Sequence, residues 1–160
     1  RDMGAAMSPF NAFMFIQGLE TLALRIREHS KNADEIAKFL MDHPKVERVS
    51  HPSVASDLAK ERADKYLSGG CGGLMGFEIK GGVEAGKQFI NSLEMFYHVA
   101  NIGDSRSLAI HPASTTHSQL NEEELLSAGV TPGYVRLSIG LEHLDDIKDD
   151  LTQALDKVSV

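Results

Sequence analysis

Two short segments hold most of the side chains that could do chemistry. Residues 103–117 read GDSRSLAIHPASTTH and combine Ser107 with two histidines, His111 and His117, while Arg136 lies downstream in the alternating run YVRLSIG. A planar guanidinium on a strand bound for a core needs a carboxylate or phosphate, which it holds through two parallel hydrogen bonds. That partner is either one of the 23 acidic residues of the chain or the carboxylate of a bound substrate.

Other kinds of site fail on spacing or on context. His111 and His117 are six residues apart with no ligand set around them, so we predict structural hydrogen bonding rather than metal binding. A triad of Ser107, His111 and Asp104 lacks the Gly-x-Ser-x-Gly turn that exposes a nucleophilic serine. The cluster GGCGG at residues 69–73 has no lysine and precedes a strand, which argues against a phosphate loop and for a flexible one. Ser107 itself either caps an irregular turn or lines a cleft.

Composition narrows the function classes. The 160 residues are 42% hydrophobic, which suits one globular domain with a core. The net charge is −7 and the basic residues are scattered, so we expect no nucleic-acid partner. We also expect no membrane partner and a cytoplasmic location, because there is neither a spanning apolar run nor a signal-peptide pattern. Cys71 is the only cysteine, which excludes an internal disulfide.

The elements that must position these side chains follow from periodicity. Ser8 and Pro9 are typical of a helix start, and apolar residues at helical spacing continue to His43, where Pro44 ends the pattern. An unbroken helix of that length would span roughly 50 Å, so it either bends or bridges two bodies. Its first turns carry an apolar stretch wide enough to face a partner: Phe10, Phe13, Met14, Phe15 and Ile16.

Beyond this helix, strand and helix patterns alternate. Strands are predicted over 46–49, 74–79 and 135–139, with short extended segments over 96–102 and 107–110. Helices are predicted over 55–66, after the glycines at 81–82, over 121–127 and from residue 144 onward. The sum is a small sheet of about four strands with helices packed on it, an α/β or α+β sandwich.

Four blocks, spread in order over nearly the whole chain, carry a family resemblance. They are MSP with GLETL near the N-terminus, GLMGF with KGG, HPAS with TH, and VRLSIG. Together they resemble the Cys/Met-metabolism family of enzymes that depend on pyridoxal 5′-phosphate (PLP). Arg106 and Thr115 resemble the sulfhydrylase-type members, because cystathionine synthases and lyases tend to carry glutamate at the first position and many relatives carry methionine at the second.

The resemblance implies a fold and an activity. Residues 1–43 would be a long linking helix, and residues 44–160 the C-terminal domain of a fold-type I PLP transferase with a mainly antiparallel sheet. The implied reaction replaces acetate on O-acetylhomoserine by sulfide or a thiol, with PLP stabilising the carbanions. Arg136 would bind the α-carboxylate of this amino-acid substrate, and Ser107 would line the same pocket. No residue here would be catalytic, bind the cofactor or bind a metal.

The same resemblance implies that the PLP-binding domain lies outside these residues. None of the nine lysines matches the family's Schiff-base segment. We therefore expect the chain to be part of a longer protein that forms a homo-oligomer, a tetramer, and expect the chain alone to bind no PLP and to be inactive. Two alternatives stay open. One is a cystathionine γ-synthase or methionine γ-lyase, and the other is a free-standing ligand-binding domain in which Arg136 is paired internally.

Overall fold

The computed structural model, which describes residues 3–159 apart from the side chain of Glu122, contains six α-helices and five strands within that range. The helices are α1 (Pro9–Glu20), α2 (Leu22–Met41), α3 (Asp57–Tyr66), α4 (Gly82–Ser92), α5 (Glu122–Ser127) and α6 (Leu144–Asp156). The strands are β1 (Val46–Ser50), β2 (Leu74–Ile79), β3 (Tyr97–His98), β4 (Leu108–Ile110) and β5 (Tyr134–Ser138). This arrangement confirms the predicted mixed α/β class. None of the described helices has the length and hydropathy that crossing a membrane requires.

The strands form one sheet in the order β1-β2-β5-β4-β3. Neighbouring strands are antiparallel except for β3 and β4, which are parallel. β5 lies in the middle, and its Arg136 is opposite Gly76 of β2 on one side and Ile110 of β4 on the other. The mainly antiparallel sheet is therefore confirmed. It has five strands where about four are expected, because both short extended segments, 96–102 and 107–110, contribute a strand, β3 and β4.

The two faces of the sheet have different surroundings. One face lies under α2 and α4, with α6 packed against both helices. Its strand residues are nearly inaccessible to solvent: Met75, Phe77, Ile79, Val135 and Leu137. The ring of Phe89 on α4 meets Phe77 edge-on, with ring centroids 5.3 Å apart. Since successive side chains of a strand alternate between faces, Gly76, Tyr134 and Arg136 lie on the opposite face.

The long N-terminal helix is present as two helices that meet at Thr21. The Ser8 hydroxyl accepts a hydrogen bond from the Asn11 amide at 3.1 Å, which starts α1 as predicted. Thr21, with φ −103° and ψ 1°, ends it. No residue of α1 is buried, whereas α2 buries a stripe that runs from His29 to Leu40. The second half of α2 thus belongs to the core, and the division of the chain at residue 43 stays a prediction.

The glycine cluster before β2 is anchored to α2. The Gly72 amide donates to the Ser30 hydroxyl at 3.0 Å, and the Gly73 carbonyl accepts from the Ile139 amide at 2.8 Å. Gly70 and Gly72 have φ of 125° and 78°, a conformation that favours glycine. The loop that is expected to be flexible is therefore hydrogen-bonded both to α2 and to the residue that follows β5.

A buried carboxylate fixes the turn between α4 and β3. Asp150 of α6 is only 6% exposed. Its two oxygens accept hydrogen bonds from the amides of Glu94, Met95 and Phe96 at 2.9, 3.0 and 3.2 Å. The side chain of Gln153 donates to the same carboxylate at 2.9 Å. Because it satisfies three successive amides, Asp150 holds the chain against α6 just before it enters the sheet.

Replacing Asp150 with alanine is expected to lower the free energy of unfolding by about 3 kcal/mol, because buried amides lose their acceptor. Urea unfolding of the chain measures the change. Asp149→Ala is the matched control. The Asp149 side chain is exposed and accepts none of these hydrogen bonds, so its removal should change the free energy of unfolding by less than about 0.5 kcal/mol. Equal losses for the two variants would contradict the role assigned to Asp150.

Candidate functional site

A cavity of about 650 Å³ opens on the face of the sheet that carries Arg136. Its walls come from β1, β2, β5 and the start of α3. Polar groups in the lining include Arg48, Ser50, Ser56, Tyr134 and Arg136. Within the described range no lysine, aspartate or glutamate lines it. The cavity therefore has two cationic groups and no acidic side chain in its walls, which suits an anionic ligand.

Arg136 is the half-buried cation of this cavity. Among the described side chains no carboxylate oxygen lies within 4.0 Å of its guanidinium nitrogens. Its hydrogen bond to the Asn101 carbonyl is long, at 3.5 Å. The internal ion pair, one of the two alternatives for this residue, is thus not formed in the described part of the chain. The fork of donors is available to a ligand.

The ring of Tyr134 packs directly against the backbone of Gly76. A Cβ atom built at position 76 would collide with the Tyr134 hydroxyl and with the ring carbons next to it. Glycine inside a strand marks such a close approach. Burial raises the pKa of the Tyr134 hydroxyl and the Glu78 carboxylate adds to the rise, while the charges of Arg136 and Arg48 act in the opposite direction. The phenol is therefore within electrostatic range of both arginines of the cavity.

Ser107 lies inside the domain, away from the cavity wall. It is fully buried, and its amide and hydroxyl donate to the two oxygens of Glu142 at 2.7 and 2.9 Å. The same hydroxyl accepts from the Gly140 amide at 2.9 Å. Its side chain is absent from the described lining of the cavity. The structure thus does not bring Ser107 together with Arg136 in one pocket. The hydrogen bonds of Ser107 instead hold the turn that follows β5.

Helix α2 holds the same turn from the other side. Nδ1 of His29 donates to the Ile139 carbonyl at 2.6 Å. The side-chain amide of Asn32 donates to the carbonyls of Gly140 and Glu142 at 3.2 and 3.1 Å. These carbonyls follow the last residue of β5 directly. The end of the strand that carries Arg136 is therefore fixed on both sides by buried side chains.

His111 has a structural role, as its spacing predicts. It is fully buried, with Nδ1 paired to the Ser114 hydroxyl and Nε2 donating to the Pro132 carbonyl, each at 2.8 Å. Burial lowers its pKa. Gly86 of α4 packs against the ring, where a Cβ atom would lie 2.5 Å from ring atoms. His117 pairs through Nδ1 with the Thr116 hydroxyl at 2.8 Å.

Metal binding finds no support in the described range. Within it, no group of three or more histidine, cysteine, aspartate or glutamate side chains is placed to hold an ion. Burial raises the pKa of the Cys71 thiol, so this cysteine is not activated as a nucleophile.

Comparison with known proteins places the site in a family. The family described as Cys/Met metabolism PLP-dependent enzymes matches residues 1–156. The chain belongs to this family. A PLP-dependent relative of known structure, an O-acetylhomoserine (thiol)-lyase from Campylobacter jejuni that contains N'-pyridoxyl-lysine-5'-monophosphate, superposes with a TM-score of 0.87. It is 48% identical, and the match covers 98% of this chain and 37% of that protein.

Two further members of the Cys/Met metabolism family show the range of names among the relatives. The O-acetyl-L-homoserine sulfhydrylase of Leptospira meyeri is 57% identical over 159 residues, 99% of this chain and 36% of the relative. An L-methionine gamma-lyase of Fusobacterium nucleatum subsp. polymorphum is 43% identical over 159 residues, 99% of this chain and 40% of the relative. The chain thus spans about two fifths or less of the length of these relatives.

The cavity suits a carboxylate group better than it suits the family's cofactor. A covalent PLP site needs a lysine, and the described lining contains none. Lys45 donates to the carbonyls of Leu155, Asp156 and Val158 at the end of α6, at 2.8 to 3.1 Å. Other lysines are held in ion pairs on the surface: Lys31, Lys38, Lys60, Lys87 and Lys157. No step that involves the cofactor is therefore assigned to these residues.

Three residues of the cavity are not identified as site residues from the sequence alone. Gly76 offers a signal, since a glycine inside a strand pattern suggests a close approach. Arg48 and Tyr134 offer none. Whether they share a face with Arg136 depends on the register between β1, β2 and β5, which the sequence of one strand does not define.

The chain is expected to lose stability below neutral pH. Burial lowers the pKa of His51 and His111 from the ordinary 6.5, so the unfolded chain takes up protons that the folded chain resists. The stability that these neutral rings contribute is fully present above the unfolded pKa and is lost as pH falls through the folded pKa. The urea midpoint should therefore fall between about pH 7.5 and about pH 5.

The variant His111→Gln should reduce this pH dependence, because one of the buried titrating rings is removed. His98→Gln is the control, since His98 is exposed on β3 and should keep the slope of the parent chain. A slope that is identical in the parent and in His111→Gln would refute the contribution of His111.

Ser107→Ala is expected to lower the free energy of unfolding by about 2 kcal/mol, since Glu142 loses a donor and the buried Gly140 amide loses its acceptor. Ser105→Ala, at an exposed position of the same loop, should be within about 0.5 kcal/mol of the parent. Urea unfolding compares the two. A Ser107→Ala chain as stable as the Ser105→Ala chain would contradict the stabilising role of these hydrogen bonds.

Proposed function

We propose that this chain is the carboxylate-binding part of a PLP-dependent O-acetylhomoserine sulfhydrylase. The observation that carries the proposal is Arg136, a half-buried guanidinium on the central strand that faces a cavity and has no carboxylate partner in the described range. Such a group suits an α-carboxylate held by two parallel hydrogen bonds. The sulfhydrylase of Leptospira meyeri, 57% identical, supports this choice of substrate class.

The contribution of Arg136 is to bind and to orient. Holding the carboxylate at one end fixes the direction of the bonds at the α carbon, which lowers the entropy cost of reaching the reactive geometry. A guanidinium offers hydrogen-bond donors and no acceptor, so the role of Arg136 is binding and orientation. PLP, bound by polypeptide outside this chain, would supply the electron sink that lets acetate leave and sulfide or a thiol add.

Ser107 acts in this proposal as a positioning residue. Its hydrogen bonds to Glu142 and Gly140 hold the turn after β5, and Arg136 lies upstream on that strand. The effect of Ser107 on substrate binding would therefore pass through the backbone, without contact between its hydroxyl and the substrate.

We further propose that α1 packs against the remainder of a longer enzyme that is a homotetramer in the cytoplasm. Phe10, Phe15 and Leu19 are 70%, 62% and 64% exposed, and no residue of this helix is buried. Apolar patches of this kind mark interaction surfaces. The most direct occupant is the N-terminal PLP domain implied by the length of the relatives. The single cysteine, Cys71, fits a reducing compartment.

A second candidate is a methionine γ-lyase, which the 43% identical relative from Fusobacterium nucleatum favours. The carboxylate would be held in the same way, because both substrates are amino acids. The products separate the two activities. A sulfhydrylase forms homocysteine from O-acetylhomoserine and sulfide, whereas a γ-lyase releases a thiol, ammonia and a keto acid from methionine.

In the full-length enzyme, Arg136→Gln is expected to raise the KM for O-acetylhomoserine by about 100-fold, because a charged bidentate contact to the substrate is lost. Steady-state kinetics measures the effect, and circular dichroism checks that the variant is folded. Arg62→Gln, on the exposed surface of α3, is the matched control and should keep the parent KM. A folded Arg136→Gln enzyme with an unchanged KM would sink the carboxylate role.

A further inference from the structure

A second guanidinium lines the cavity and has no part in the function proposed so far. Arg48 of β1 is exposed, and within the described residues no carboxylate oxygen lies within 4.0 Å of it. Its cross-strand neighbour Glu78 is engaged elsewhere. One oxygen of Glu78 accepts from the Gly133 amide at 3.0 Å, and the other bonds to the Thr131 hydroxyl. Glu78 therefore makes no ion pair with Arg48.

The sheet register relates the two arginines. Arg48 is opposite Glu78, and Glu78 is opposite Tyr134, so Arg48 and Tyr134 lie in one row across the sheet. Arg136 is two residues further along β5 on the same face. Two strand spacings and two residues place the Cα atoms of Arg48 and Arg136 roughly 12 Å apart. Both arginines line the cavity. Their charges lower the pKa of the Tyr134 phenol, and the Glu78 carboxylate, which lies between Arg48 and Tyr134 in the row, raises it.

We propose that Arg48 and Tyr134 form a second anion subsite in this cavity. The cavity then takes a ligand with an anionic group at each end, such as a straight-chain dicarboxylate or an amino acid whose side chain ends in a carboxylate. This inference rests on the proposed function, since Arg136 holds the first carboxylate. The second is bound by the Arg48 charge and by the Tyr134 hydroxyl as donor, which has no hydrogen-bond partner among the described residues.

The subsite is selective because the one carboxylate of its row, Glu78, is hydrogen-bonded to Thr131 and Gly133 and is outside the described lining, which contains no acidic side chain. Two like charges that face one open space repel each other, and a dianion relieves the repulsion while a neutral group does not. A ligand with one carboxylate and one neutral ester therefore gains only the Arg136 contact. The gain for a second carboxylate is moderated by solvent, because Arg48 is exposed.

Isothermal titration calorimetry on the full-length holoenzyme tests the subsite with glutarate and its monomethyl ester, which differ in one charge. We expect glutarate to bind about tenfold more tightly than the ester. Arg48→Gln should abolish that difference and leave the affinity for the ester unchanged. Tyr134→Phe, which keeps the ring and removes only the donor, should weaken glutarate binding about threefold. Arg62→Gln should preserve the tenfold preference.

Equal binding of glutarate and the ester by the parent enzyme would overturn the subsite, as would a preference that survives in Arg48→Gln. The Tyr134→Phe variant keeps the test decisive if Arg48→Gln does not fold. Failure of the proposed function has a different signature. In that case Arg136→Gln leaves both the ester affinity and the KM for O-acetylhomoserine unchanged, whatever Arg48→Gln does to glutarate.

Discussion

The carbonyl groups of Ile139 and Gly140, which follow β5, are buried, and a buried carbonyl must have a donor. The position of the end of β5, the central strand, depends on the donors that these carbonyls find. His29 and Asn32 of α2 supply side-chain donors from one side, while Ser107 binds the amide and carboxylate groups of the turn from the other. Gly140 has no room for a side chain there, since a Cβ atom would lie 2.5 Å from the Ser107 amide nitrogen. The buried polar side chains of α2, His29 and Asn32, thus stabilise the core together with the apolar residues of this helix.

Rigidity at the end of β5 passes directly to the cavity. Arg136 lies in the central strand, paired on both sides, so its backbone has little freedom to adjust to a ligand. Binding groups on such a strand lose less entropy when they meet a substrate than groups on a mobile loop. Asp150 and Lys45 secure the turn before β3 and the end of α6, which keeps the helical layer closed behind the sheet.

Local signals in the sequence predict most of the fold. The Ser8-Pro9 start of α1, the Asn121 capping box of α5 and the alternating strands β2 and β5 all depend on neighbours a few residues apart. The break at Thr21 is predictable only in part, because Gly18 marks a weak point one turn earlier but nothing in the sequence of Thr21 itself ends the helix. The site divides along the same line. Arg136 is conspicuous in its own strand, whereas the burial of Ser107 depends on Glu142, 35 residues away, and Arg48 and Tyr134 reach the cavity through strand register.

The position of Tyr134 over Gly76 also makes the cavity visible to optical spectroscopy. The chain has no tryptophan and only three tyrosines, and Tyr66 and Tyr97 are 70% and 52% exposed, which leaves Tyr134 as the half-buried one. Because Tyr134 lines the same cavity as Arg48 and Arg136, an anion that binds there is expected to change the near-ultraviolet absorption of this phenol. Occupancy of the cavity in this chain can thus be followed from its own chromophore, without a label and without turnover.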